Sequence, residues 1–158
     1  MGLPRDRVLA DGHTPHAWER QAIEFIKSAL PNENPYYLWG LVELVEPSGR
    51  RHEIDALVLG HNALYLVEIK SHPARFAGNS VNWTYSFFDD RNARSRVMEN
   101  PMIGAGRKAR ALAGLLDREF RGRRPRVEPL VFLSDEKVDV SGLDAAGRMG
   151  VVTRKTFV

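Results

Sequence analysis

Residues Leu64 to Ser71 read LYLVEIKS, and no other stretch restricts the fold of this chain so tightly. The run is apolar, β-branched and aromatic, the composition of a buried strand. It ends by placing a carboxylate, Glu68, two residues before an amine, Lys70. Side chains on a strand alternate between faces, so Glu68 and Lys70 share one face while Tyr65, Val67 and Ile69 take the other. The strand therefore delivers a charged pair to the end of a hydrophobic sheet.

The preceding segment, Glu53 to Leu59 (EIDALVL), reads as a second strand, with Gly60, His61 and Asn62 supplying the turn between them. A turn centred between His61 and Asn62 sets Leu59 opposite Leu64. Counting outward then brings Asp55 opposite Glu68 and Glu53 opposite Lys70. Opposed residues on antiparallel strands hold their Cβ atoms roughly 4.5–5.5 Å apart, where like charges repel unless something neutralises them. A divalent cation such as Mg²⁺, which takes carboxylate oxygens together with waters and substrate phosphates, is the simplest neutraliser. Beside such an ion Lys70 would orient a water or balance charge on a phosphate oxygen. The plainer alternative is a Glu53–Lys70 cross-strand ion pair, with Asp55 starting one strand and Glu68 solvated at the end of the other.

An acidic residue on a helix, an aspartate on one strand and Glu-x-Lys on the next resemble the PD-(D/E)XK nuclease superfamily. EIDALVLG followed by LYLVEIKS is similar to its nuclease-related domain (NERD) branch. The resemblance implies an α/β fold with a restriction-endonuclease-like core, a mixed central sheet containing an antiparallel three-strand meander flanked by helices, in the order αβββαβ. It also implies metal-dependent hydrolysis of DNA. Asp55, Glu68, Glu19 and the carbonyl of Ile69 would hold Mg²⁺ or Mn²⁺, and Lys70 would serve the attacking water.

Residues 1–13 read as an N-terminal arm and 14–158 as one domain. Thr14 as N-cap and Pro15 at the first helical position open a helix running to about Leu30, stopped by Pro31 and Asn32. Trp18, Ala22, Phe25 and Ala29 form one apolar row and Ile23, Ile26 and Leu30 the next, which leads back to Glu19. Glu19 matches the family's helix glutamate; alternatively it only complements the positive helix N-terminus. Tyr36 to Glu46 (YYLWGLVELVE) is a strand, and Pro47, Ser48 and Gly49 turn it into Arg50, Arg51 and His52. That cluster is either a phosphate contact or a solvated hairpin end.

Phe76 to Phe87 alternates like a short hairpin, and Trp83 matches a tryptophan of the family. Trp83 and Tyr85 either stack on bases or pack against the sheet. Asn100 and Pro101 open a second helix with Ala105, Ala109, Leu112, Leu116 and Phe120 as its buried stripe. Arg107, Arg110, Gly114, Arg118 and Arg121 share another face, continued by Arg123, Arg124 and Arg126. Arg107, Lys108, Arg110 and Arg118 are the candidate phosphate contacts; a merely solubilising surface is the alternative. Where the family carries a glutamine three residues after this proline, the chain has Gly104, with Lys108 one turn on.

Val127 to Leu133 (VEPLVFL) is a strand that a right-handed crossover can lay parallel to the Glu-x-Lys strand. Ser134 to Gly147 reads as loop or short helix, and Gly150 to Thr153 as a last strand. An ending so near a strand suggests a domain of a longer protein, and the resemblance implies fusion to a kinase or helicase, including large kinases of bacterial phage defence.

At 158 residues the chain suits one domain. Without cysteine it has neither disulfides nor a thiolate zinc site, and its five histidines are scattered. No signal peptide and no apolar run of bilayer length is present, so the expected location is the cytoplasm. Net charge is +3, yet pI is about 9.4 with clustered arginines, which points to an anionic partner. Nucleic acid is the expected partner, with DNA ahead of RNA as the resemblance implies. Walker, paired-histidine zinc and Gly-x-Ser-x-Gly motifs are missing. Two functions stand: a metal-dependent nuclease, or a nuclease-like module that binds nucleic acid or a partner and regulates a fused enzyme.

Overall fold

The computed structural model describes residues 2–10, 14–92 and 94–157. Its order is β1 (Val8–Ala10), α1 (Ala17–Ala29), β2 (Tyr37–Val45), β3 (Arg51–Leu59), β4 (Leu64–Lys70), β5 (Ala74–Gly78), β6 (Asn82–Phe87), β7 (Arg96–Glu99), α2 (Pro101–Phe120), β8 (Val127–Leu133), β9 (Asp139–Leu143), α3 (Ala145–Arg148) and β10 (Val151–Thr153). Strands β1-β2-β3-β4-β8-β10 form one mixed sheet and β7-β6-β5-β9 a second. The architecture is mixed α/β, and the run α1-β2-β3-β4 and then α2-β8 frames an inserted hairpin region.

Helices cover both faces of the larger sheet because β3 and β4 are apolar on both sides. On one face Ala22, Ile23, Ile26 and Leu30 of α1 pack on Leu38, Val58, Val67, Ile69 and Phe132. On the other, Ala105, Ala109 and Leu112 of α2 pack on Leu57, Leu64 and Leu66. The α2 side is thus the face to which Glu68 and Lys70 belong by alternation. Phe76 and Trp83 of the second sheet close a further cluster with Val131, Leu133 and Leu143.

The β3–β4 register is the expected one, from Leu59 opposite Leu64 to Ala56 opposite Val67. Strand β8 runs parallel to β4 along its whole length, Leu64 beside Val127 and Lys70 beside Leu133, as a crossover through α2 requires.

Four expectations need correction. Of the segment read as an arm, residues 2–10 include a 3₁₀ turn at Arg5–Arg7 and β1, which pairs parallel to β2; residues 1 and 11–13 lie outside the described residues. Helix α1 starts at Ala17, with His16 rather than Thr14 as N-cap. Trp18 is exposed and stacks on His16, and Phe120 is exposed as well. Within 134–147 the chain forms β9 and α3; β9 pairs parallel to β5 and α3 packs on β9, neither announced by a long periodic run.

The start of α2 is anchored as the sequence expects. Asn100 is buried, its side chain accepts from the Met102 N–H at 2.9 Å, and its amide donates to the Asn79 carbonyl at 3.1 Å. One residue therefore caps the helix and ties it to the β5–β6 turn. Asn100→Ala should lower stability by about 1–3 kcal/mol in urea denaturation, the sum expected for removing a cap and one further side-chain hydrogen bond.

Candidate active site

Strict alternation would keep Asp55 on the α2 face with Leu57, yet the pattern breaks there. Ala56 and Val58 pack in the α1 cluster, whereas Ile54, which alternation would place with them, packs in the α2 cluster. Leu41 flanks the same point on β2, between the pairs Gly40–Ala56 and Val42–Ile54, and has a left-handed backbone with φ +50°. Such a conformation is uncommon for a bulky residue and costs of order 1–3 kcal/mol, which the neighbouring ladder must support. The β3–β4 ladder also ends at Ala56–Val67, so Asp55 and Glu68 are not a ladder pair. Instead the Ile69 N–H donates to Asp55 Oδ2 at 2.8 Å, and a side-chain oxygen takes the place of the next backbone acceptor.

This irregularity lets Asp55 meet groups from both sides of the sheet. Burial raises its pKa to about 6, and the Glu68 charge adds to that rise; the Ile69 N–H and Lys108 oppose it, and Glu19 raises it further. Glu19 is buried in the first turn of α1 and accepts a hydrogen bond from Thr14 Oγ1 at 2.5 Å. Thr14, expected as a cap, thus holds the acid instead.

Glu68 is flanked by two ammonium groups. Lys108 Nζ lies 3.0 Å from Oε2 and Lys70 Nζ 3.9 Å from Oε1, with the Glu68 side chain only 16% exposed. Lys108 does not share the arginine face. Each helix residue turns about 100° from the last, so Lys108 is rotated away from Arg107 toward the sheet, while Arg107, Arg110 and Arg118 are exposed. In the sequence it reads as one of the phosphate contacts; only its pairing with Glu68, 40 residues away in the chain, reveals its place.

Other expectations resolve simply. Glu53 is exposed and lies across from Glu43, not beside Lys70. Arg51 pairs with Glu43 at 2.8 Å and His52 with Glu46 at 2.9 Å, an ordinary hairpin end. Trp83 is fully buried against Phe76 and is closed to a base. His72 stacks on Tyr85 at 5.6 Å beyond the end of β4, and burial together with the Lys70 charge holds its pKa below the ordinary histidine value.

Among the described residues no three His, Asp or Glu side chains stand in ready ion-binding geometry. The donor types are those a hard divalent ion takes: Asp55, Glu68 and Glu19 offer carboxylate oxygens, and the charges of Glu68 and Glu19 add to the burial that raises the Asp55 pKa. What the structure shows of Ile69 here is its N–H, engaged with Asp55.

Residues 14–134 match the family described as nuclease-related domain, NERD. A protein of Streptomyces coelicolor described as probable kinase PglW is 31% identical over 98 residues, 62% of this chain. The chain spans only 6% of that relative's length. No solved structure matches the chain.

The raised Asp55 pKa makes a prediction that needs no ion. A folded-state value near 6 against 3.8 means that the native state binds the proton more tightly than the unfolded one. Stability must then fall as pH rises from about 4 to about 6 and stay reduced above, by up to about 3 kcal/mol for this group. Asp55→Asn should therefore be more stable than the native chain at about pH 7.5, by about 1–3 kcal/mol in urea, with the gain vanishing near pH 4.

Proposed function

This chain belongs to the nuclease-related domain family, and on that premise we propose that it hydrolyses phosphodiester bonds of DNA with Mg²⁺ or Mn²⁺. What supports the reading is that the charges of Glu68 and Glu19 reach Asp55, while Lys108 and Lys70 lie 3.0 and 3.9 Å from the Glu68 carboxylate. Asp55 and Glu68 would hold the ion, with Glu19 completing the charge from the helix side. When bound, the ion supplies Lewis-acid polarisation of a phosphate oxygen and a more acidic water. Lys70, half-buried beside Glu68, orients the attacking water and offsets charge that gathers on the phosphate. Asp55 must be ionised to serve, so burial sets the lower pH limit of the reaction.

The exposed Arg107, Arg110 and Arg118 would hold the phosphate backbone. No helix among the described residues is long and apolar enough to cross a membrane. Similarity to part of a probable kinase supports placing this domain within a longer protein fused to a kinase; a helicase in the kinase's place and a cytoplasmic location belong to the same proposal.

A second reading has its own observation. Lys108 and Lys70 balance Glu68 without any ion, and Gly104 stands where the family has glutamine. A module so neutralised would bind nucleic acid or a partner and regulate a fused enzyme without cutting.

Alanine at Asp55, Glu68 or Lys70 should each reduce Mn²⁺-dependent cleavage of plasmid DNA by about 100-fold or more, with far-UV circular dichroism unchanged. Cleavage should decline as pH falls through about 6, and the midpoint should move lower as Mn²⁺ rises, because a cation favours ionised Asp55. DNA binding without cleavage under Mg²⁺ or Mn²⁺ would select the regulatory reading. Replacing Arg110 and Arg118 together by alanine should weaken DNA binding and flatten its dependence on salt, by about 0.9 in log–log slope for each phosphate no longer neutralised.

A further inference from the structure

Glu68 already has a cation in the place a divalent ion would claim. Lys108 Nζ is 3.0 Å from Oε2, the two side chains are only 22% and 16% exposed, and the contact joins α2 to β4. A lysine ammonium this close to a half-buried carboxylate competes directly with any ion for the same oxygen. Side chains on a helix lean toward its N-terminus, so the Lys108 stem lies over the turn that contains Gly104. A Cβ at Gly104 would meet only the Arg107 guanidinium, at 3.9 Å. Gly104 thus adds no side chain to the turn over which the Lys108 stem lies.

We propose that Lys108 is the resident counter-cation of Glu68, which it yields to a divalent ion when a phosphate of bound nucleic acid takes its ammonium. This rests on the nuclease reading of the same site. Ion and nucleic acid then bind cooperatively, since each makes the other's displacement of Lys108 easier, and linkage requires the enhancement to be equal in both directions. In the absence of nucleic acid the site holds the ion weakly, and Lys108 keeps the acidic pair from standing uncompensated. A bound phosphate thus becomes the signal that arms the site.

Mn²⁺ titrations followed by electron paramagnetic resonance test this on the native chain, Lys108→Met and Lys108→Arg, with and without a short DNA duplex. Every arm, with and without DNA, carries Lys70→Met to prevent cutting, so that only residue 108 and the DNA differ between arms. Lys108→Met should bind Mn²⁺ about tenfold more tightly than the native chain without DNA, and Lys108→Arg should behave like the native chain. DNA should strengthen Mn²⁺ binding about tenfold where Lys108 is present and leave Lys108→Met unchanged. Equal Mn²⁺ affinity of the native chain and Lys108→Met without DNA overturns the proposal and leaves the nuclease reading standing. Weaker binding by folded Lys108→Met overturns it too, by making Lys108 an organiser of the site. Mn²⁺ binding by none of the proteins, with or without DNA, removes both readings together. Lys108→Gln, neutral but still able to donate to Glu68, takes the place of Lys108→Met if circular dichroism shows that variant unfolded.

Discussion

Carboxylates crowded beside a hydrophobic sheet repel one another, and the local architecture answers that repulsion. Burial and the Glu68 and Glu19 charges hold Asp55 at a pKa of about 6, and the Ile69 N–H, Lys108 and Lys70 stand around the acidic pair as compensation. Taking one acid out of water is costly, and leaving two close together costs more. The elements that meet here are fixed elsewhere: α1 by its contacts with Val67, Ile69 and Phe132, and α2 by its contacts with Leu64 and Leu66. The site occupies the seam between two separately packed layers.

The second sheet fixes where α2 begins. Asn100 links the helix start to the β5–β6 turn, Trp83 and Phe76 bury the hairpin against Val131 and Leu133, and Glu99 reaches Arg107 at 3.4 Å. Lys108 sits two turns into a helix whose N-terminus is held in this way, so the hairpin governs the lysine's reach toward Glu68. At Gly78, with φ +141°, a Cβ would lie 2.3 Å from the Asn82 carbonyl oxygen, so the turn that receives Asn100 demands glycine. The nuclease-related domain match ends at 134, and β9, α3 and β10, which flank β5 and β8, lie beyond it.

Much of the framework around the candidate site was legible because its parts follow local rules. A two-sided apolar pattern made β4 a buried strand, the Gly60–Asn62 turn set the β3–β4 register, and Asn100–Pro101 marked the helix start. Glu19 stood out as an acid leading an apolar row, and it is buried. Other features escaped for a physical reason. The reversal of faces at Asp55 lies opposite the left-handed Leu41 on a neighbouring strand, and a period-two pattern contains no trace of either. Strand β9 escaped as well, because its pairing with β5 joins segments more than 60 residues apart.

The family, the pairing of the Glu-x-Lys strand with its hairpin neighbour and the helix boundary at Asn100 were written in the sequence itself, because each depends on residues close together in the chain. Lys108 was not. As a helix residue beside arginines it reads as one more surface cation, and spacing along α2 only turns it aside from that face. Its pairing with Glu68 came from the tertiary structure alone, because the packing of α2 on β4 decides which half-buried carboxylate a four-carbon stem can reach.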